Sequence, residues 1–401
     1  MNSRCWAPFL FIICFMKDFT LSFILQNIFA DTAVNPIKIL VLFISMTILS
    51  VFLDEIGFFR FLANVTLKKA GASQKKLFIF LYVTVSVLTV FTSNDIIVLT
   101  FTPFICYFAA NAKIKPLPYL VTVFIAANTW SMALIIGNPT NIYLATSGGV
   151  EFLSYVKIMI LPTASAGLMS LLGLTLIFRK DLSKPMERVQ SKAGHITDPV
   201  LLVIGLIHLT VATVMLAVSS YVGIEMWIVA LGAVVSLFIC NLVVAAGRRR
   251  APRELGRCLK RAPWTLVPFL LGMFVLILFL QCLGVPAFIS KILGTKQICF
   301  RYGISSLIAC NIMNNIPMSV LFSSIVDGLS IAEKTPALFA TIIGSNLGAF
   351  LTPSGALAGL MWQKILKGQG IKFGYWDFVK YGGGMGVVSL LAAVTVLSFV
   401  V

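Results

Sequence analysis

Apolar stretches of about 20 residues or more recur from one end of the chain to the other, each long enough to cross a bilayer core. Short polar clusters separate them. The pattern predicts spanning helices near 6–28, 36–66, 117–146, 151–178, 198–219, 222–246, 263–283, 336–362 and 378–401. Two further stretches, 77–110 and 298–327, are too long for one crossing. Each is interrupted midway, by TSND (Thr92–Asp95) and by NIMNNIP (Asn311–Pro317). Both are predicted to be re-entrant hairpins that enter and leave on one side. The fold class is therefore an all-α polytopic integral membrane protein.

Two of the spans also contain a break. Segment 117–146 holds LIIGNPTNIYLA (Leu134–Ala145), and segment 336–362 holds IIGSNLGAFLTPSGALAGLMW (Ile342–Trp362). Pro139 removes an N–H and crowds the preceding turn, and Gly137 loosens the helix further. In hydrocarbon each polar group freed this way costs about 3 kcal/mol or more unless something satisfies it. A break is thus either a tolerated kink or a place where bare amides and carbonyls face a site. Spacing favours the site, because Asn94 to Pro139 spans 45 residues and Asn314 to Pro353 spans 39. Interrupted segments in corresponding halves point to a transporter site near the bilayer midplane. The implied organisation is an N-terminal membrane segment, 1–35, and a first repeat, 36–178, with hairpin 77–110 and broken helix 117–146. Connecting helices and basic loops follow over 179–262. A second, inverted repeat, 263–401, carries hairpin 298–327 and broken helix 336–362.

Composition agrees with this picture and removes several alternatives. The 401 residues are 59% hydrophobic and 11% charged, which leaves no material for a separate soluble domain. A net charge of +17 could suggest nucleic acid, but the cations sit in short loops between apolar segments. Lys68, Lys69, Lys75, Lys76, Lys113 and Lys115 flank the first hairpin. Arg179 to Lys192, GRRRAPRELGRCLKR (247–261) and KILKGQGIK (364–372) fall on the same side. That side collects 21 Lys and Arg against the four at Lys291, Lys296, Arg301 and Lys334, so it is assigned to the cytoplasm. The first hairpin then opens to the cytoplasm and the second to the outside. Eight scattered cysteines without CxxC spacing predict free thiols, and His195 and His208 cannot assemble a metal centre. No cofactor is implied. At the N-terminus an anchoring helix interrupted by Lys17 and Asp18 is favoured over a cleaved signal peptide.

The candidate chemistry lies at the interruptions. Ser93, Asn94, Asn138, Pro139, Thr140 and Asn141 stand there in the first half. Asn314, Asn315, Thr352, Pro353, Ser354 and Gly355 stand there in the second. Half-helix N-termini attract anions and C-termini attract cations, while amides and hydroxyls both donate and accept, which suits a polar solute that must bind and then leave. The same residue types also join membrane helices to one another. Asp95 is an ionisable residue at membrane depth, a candidate proton carrier or cation ligand, or else a cap on the hairpin tip. With Asn346 it forms the expected ion-coupling set. Asp54 and Glu55 could pair with Arg60, whereas Glu225 and Asp327 fall at helix ends and are read as interfacial. Cys310 could meet a soft metalloid or be a buried thiol. No HExxH, GxSxG or Walker A motif is present, so neither an enzyme nor an intrinsic ATPase is indicated. A channel also uses broken helices, but two opposed, unlike halves fit alternating access better.

At LDEIGFFRFLA, FTSNDIIVLTFTPF, IFRKDL, NIMNNIPMSVL and GSNLGAFLTPSGALAGLMWQKIL the sequence resembles the ion transporter superfamily, and within it the arsenite permease (arsenical pump membrane protein) family. The resemblance implies a scaffold and a transport domain, a homodimer, and proton-coupled arsenite or antimonite efflux across the cytoplasmic membrane, in some systems with a partner ATPase. It implies that Ser93–Asp95, Asn138–Asn141, Asn314–Asn315 and Thr352–Gly355 line substrate and coupling-ion sites. GNPTN is closer to superfamily relatives that move carboxylates or other anions. A sodium- or proton-coupled anion carrier is accordingly the second reading.

Overall fold

A computed structural model describes residues 20–30, 35–187 and 196–401. The expected span 6–28 lies mostly outside them, as do Lys17, Asp18, Cys5, Cys14 and His195. The described residues are helical, with no named strand among them, and seven helices are long and apolar enough to cross a membrane.

A short helix, α1 (Leu21–Phe29), precedes α2 (Pro36–Glu55). Asn35 caps α2 by accepting from the N–H groups of Ile37 and Lys38 at 2.9 and 3.1 Å, and Pro36 at the first position needs no partner. The single span predicted over 36–66 is in fact two helices. Gly57, at φ +89°, turns the chain between α2 and α3 (Phe58–Ala70), a conformation that a residue with a Cβ avoids. Next come α4 (Gln74–Phe91) and α5 (Asn94–Asn111), joined only by Thr92 and Ser93. The first broken helix is α6 (Leu117–Trp130), two tight turns, and α7 (Pro139–Ser147). Long apolar helices α8 (Phe152–Leu182), α9 (Pro199–Val222) and α10 (Met226–Gly247) lead to a short basic one, α11 (Arg253–Arg261).

The second half runs through the same order of elements. Helix α12 (Leu266–Cys282) turns at Gly284, φ +71°, into α13 (Val285–Leu293). Helices α14 (Ile298–Met313) and α15 (Asn315–Asp327) meet at Asn314. The second broken helix is α16 (Ile331–Leu347), two tight turns, and α17 (Leu357–Gly368). A short helix, α18 (Tyr375–Phe378), and one wide turn lead into α19 (Gly384–Val400).

Burial separates outer helices from inner ones. Val203, Ile207, Val211 and Val214 on α9, and Ile239 and Val243 on α10, are all more than half exposed, the face expected toward lipid. Helices α6 and α7, and α16 from Ala337 onward, are buried almost all round, polar residues included. Trp362 of α17 stacks on Phe124 of α6 with ring centroids 4.6 Å apart, tying the two broken helices together. Each half also bonds the end of its first long helix to its second hairpin arm. Thr100 of α5 donates to Asp54 Oδ1 at 2.9 Å, and Gln281 of α12 donates to Ser324 of α15 at 2.7 Å. Asp54 and Gln281 lie three residues before Gly57 and Gly284 respectively, so the two bonds occupy the same place in the two halves.

Asp54 and Glu55 do not pair with Arg60. Arg261 reaches Asp54 at 2.6 Å and Glu55 at 2.5 Å, and Arg257 reaches Glu55 at 2.6 Å. Gly57 turns the chain before Arg60 could come round, and Arg60 is exposed. Glu225 and Asp327 do lie at helix ends, exposed and paired with Lys38 and Lys334.

Candidate functional site

The first break is held by side chains that stand in for lost helical bonds. Asn138 is extended, and its Oδ1 accepts from the Thr140 N–H at 3.2 Å, capping α7, while Pro139 takes the first helical position. Asn141 donates to the Ser131 carbonyl at 2.8 Å and to that of Leu134 at 3.3 Å, two of the acceptors the break sets free. Asn346 of α16 closes the cluster. Its Oδ1 accepts from Asn138 Nδ2 at 2.8 Å and Ser131 Oγ at 3.0 Å, and its Nδ2 donates to Asn141 Oδ1 at 2.7 Å. Thr140 and Ser345 share a hydroxyl bond of 3.0 Å. All of these side chains are buried, and the cluster joins the first broken helix to the second.

The second break uses a different anchor. Thr352 donates to Asn311 Oδ1 at 2.6 Å, and Asn311 Nδ2 donates to the Gly348 carbonyl at 3.0 Å. Pro353 begins the next turn, and Ser354 donates to the Asn311 carbonyl at 3.3 Å. Asn314 Nδ2 donates to the Ser354 carbonyl at 3.0 Å. A Cβ added at Gly355 would stand 2.8 Å from Asn311 Oδ1 and 2.7 Å from the Gly348 carbonyl, so only glycine allows this approach. Asn314 sits at φ +77°, ψ 153°, a region that costs a residue other than glycine about 1–3 kcal/mol. It caps α15 from that position by accepting from the Ile316 N–H at 3.3 Å.

The hairpin corners differ from the breaks in having polar groups to spare. Ser93 makes no side-chain cap on α5. Asn94 opens α5 and Asn315 opens α15, so they hold equivalent positions. Asn94 Nδ2 donates to Asn128 Oδ1 at 3.0 Å. The Oδ1 atoms of Asn94 and Asn315 are buried without any partner among the described residues. Asp95, half-buried in the first turn of α5, has neither a hydrogen bond nor an ion pair among those residues, so the tip-capping role is not realised. The other described carboxylates are paired or hydrogen-bonded, save Glu151 on an exposed loop. Among the described residues no lysine or arginine side chain is seen bonded to a residue of the two breaks or corners. Cys310 is buried with its thiol on the Leu307 carbonyl at 3.1 Å. Among the described residues no group of His, Cys, Asp and Glu could hold a metal.

A cavity borders each corner. One of about 390 Å³ is lined by Thr92, Leu88 and Phe91 against α9, and one of about 600 Å³ by Asn314, Met313 and Pro317 against α12. Four residues that hold the site were not singled out from sequence: Asn128, Ser131, Asn311 and Ser345. Asn128 with Ser131, and Asn311 with Asn314, stand three apart on one helical face, a spacing that could have marked them.

A family model described as citrate transporter (CitMHS) matches residues 6–344. This chain belongs to the citrate transporter family. The arsenical pump membrane protein of Escherichia coli (strain K12) is 28% identical over 349 residues, which cover 83% of this chain and 80% of that one. The putative arsenical pump membrane protein of Bacillus subtilis (strain 168) is 25% identical over 367 residues at the same coverage. The YdaH transporter of Alcanivorax borkumensis superposes with a TM-score of 0.52 at 12% identity over 90% of this chain and 84% of that one, a likeness of fold alone. This member of the citrate transporter family is arsenite permease-like in sequence, a secondary transporter and a multi-pass protein of the cell membrane.

Proposed function

We propose that the chain moves arsenite or antimonite outward in exchange for protons, by alternating access of two halves inverted with respect to each other. The halves would be 36–178 and 263–401, with 179–262 connecting them. The observation that carries the proposal is Asp95, an unpaired carboxylate at a hairpin corner beside the unpartnered amide oxygen of Asn94. An acid in that position can take up and release a proton as the corner changes exposure. The lack of basic residues suits a passenger that is uncharged and rich in hydroxyls, as arsenous acid is, because the amides and hydroxyls of Asn94, Asn315, Thr352 and Ser354 can donate to it and accept from it. The arsenical pump names of the relatives support the same substrate. The site residues Ser93 to Asp95, Asn314 and Asn315 would meet the passenger. Asn138, Thr140, Asn141 and Asn346 would fix the frame around it. A homodimer and a partner ATPase belong to this reading through the family resemblance alone.

A second reading is a sodium- or proton-coupled carrier of citrate or another carboxylate. The family model's description and the GNPTN stretch favour it. In that case the N-termini of α5, α7, α15 and α17 would hold the anion, and a cation at Asp95 would offset the repulsion between two carboxylates.

Proteoliposome flux tests both. Arsenite accumulated against its gradient under an imposed proton gradient, with no citrate uptake, is expected. Citrate accumulation under a sodium or proton gradient, with arsenite inert, would replace the first reading with the second. Flux that only dissipates gradients would overturn both in favour of a channel.

A further inference from the structure

Helix α11 is short, basic and divided by face. Glu254, Leu255 and Cys258 are buried against the protein, whereas Arg253, Gly256 and Lys260 point away from it. The helix lies in a connection between Gly247, the end of α10, and Leu266, the start of α12. Both of those helices are apolar and expose large side chains, so a link this short keeps α11 at the membrane surface. Leu259 and Trp264 beside it are 42% and 49% exposed, an aliphatic and an aromatic group of the kind that seats at the headgroup level.

Seven cations crowd residues 248–261, and they fall into two sets. Arg248 and Arg250 are held by Asp198, and Arg257 and Arg261 by Glu55 and Asp54. The side chains of Arg249, Arg253 and Lys260 meet no carboxylate and make no hydrogen bond among the described residues. The first set serves the protein's own cohesion, and the second is left available to a partner outside it, gathered beside two exposed apolar side chains. We propose that Arg249, Arg253 and Lys260, with Leu259 and Trp264, form a binding site for an anionic phospholipid of the adjacent leaflet. The three cations meet the headgroup phosphate, and the two apolar side chains rest on the glycerol and upper acyl region.

The site has a built-in link to the moving parts. The neighbouring edge of the same helix grips Asp54 and Glu55 through Arg257 and Arg261, and Asp54 also accepts from Thr100 on the first hairpin's second arm. Lipid held on the outer face of α11 therefore steadies the inner end of that hairpin contact, whatever solute the protein moves.

Native mass spectrometry of the full-length protein in detergent tests the site, with added phosphatidylglycerol or phosphatidylcholine of matched chains. The wild type is expected to retain phosphatidylglycerol in preference to phosphatidylcholine. The triple variant Arg249→Gln/Arg253→Gln/Lys260→Gln should retain it roughly ten-fold less or worse. A variant that binds phosphatidylglycerol as the wild type does would overturn the proposal. So would an equal loss in Lys364→Gln/Lys367→Gln/Lys372→Gln, because the effect would then belong to surface charge at large. Should the triple variant fail to fold, the wild type alone decides. Displacement of phosphatidylglycerol by low-millimolar inorganic phosphate would assign the cations to a free anion and not to lipid. Retention through that challenge, with loss in high salt, supports the lipid site.

Discussion

Asn138 donates through Nδ2 to Asn346 Oδ1 at 2.8 Å, across 208 positions of sequence and with both side chains buried. One amide group thus locks the first broken helix to the helix that leads into the second. Asn346→Ala would strand Asn138 Nδ2 and Asn141 Oδ1, at a cost of about 2 kcal/mol or more. Chemical unfolding in detergent should show that loss. Asn346→Asp should rescue only part of it, because a carboxylate accepts from Asn138 but cannot donate to Asn141. Wild-type stability in the alanine variant would refute the interlock.

The second break has its counterpart in Asn311, which joins Thr352 to the Gly348 carbonyl. Transport is expected to fall in the order wild type, Asn311→Asp, Asn311→Leu, since aspartate keeps the acceptor for Thr352 and leucine keeps neither bond. The leucine variant should lose on the order of ten-fold in initial rate, with the misplacement of the Thr352–Gly355 turn as the cause. Equal rates in all three proteins would leave Asn311 without a role in shaping the site.

Asp95→Asn separates binding from coupling. Gradient-driven accumulation should drop by roughly ten-fold or more, while exchange of solute for solute persists, because the amide keeps the shape of the group and loses its titration. Accumulation at the wild-type level in this variant would remove Asp95 from the coupling step.

Asp198 gives a pH dependence with a definite sign. Burial alone would raise its carboxyl, but the N–H groups of Leu201 and Val200 and the Arg248 guanidinium outweigh that and hold it below the ordinary carboxylate range. A carboxylate depressed in the folded state stabilises above its unfolded pKa of about 4, and the gain fades as pH falls through the lower folded value. The difference in melting temperature between wild type and Asp198→Asn should therefore be full near pH 7 and shrink below about pH 4. A difference that grew on acidification would contradict the assignment.

The breaks were legible because Pro139 and Pro353 cannot continue a helix, and the corners because TSND and NIMNNIP interrupt runs too long for one crossing. What holds those features together was not. Asn128, Ser131 and Asn311 sit within regular helix or in the turn after it, where their three-residue spacing marks a shared polar face but does not separate a site from helix–helix glue. Ser345 and Asn346 gain their meaning only from a partner some two hundred residues away. The expected pairing of Asp54 and Glu55 with Arg60 failed for the same reason: Arg60 was near in sequence, but Gly57 turned it away, and Arg261 came from the end of α11, some two hundred residues on. Local chemistry showed where the backbone yields, and tertiary contact decided what catches it.

The paired bonds from Asp54 to Thr100 and from Gln281 to Ser324 have unequal surroundings. Under the proposed alternation, sliding the first hairpin would part a hydroxyl from a carboxylate pinned by a guanidinium, whereas sliding the second would exchange a neutral amide–hydroxyl bond for water. A cycle built on these two latches starts on a tilted footing, with one resting pose favoured before any passenger boards.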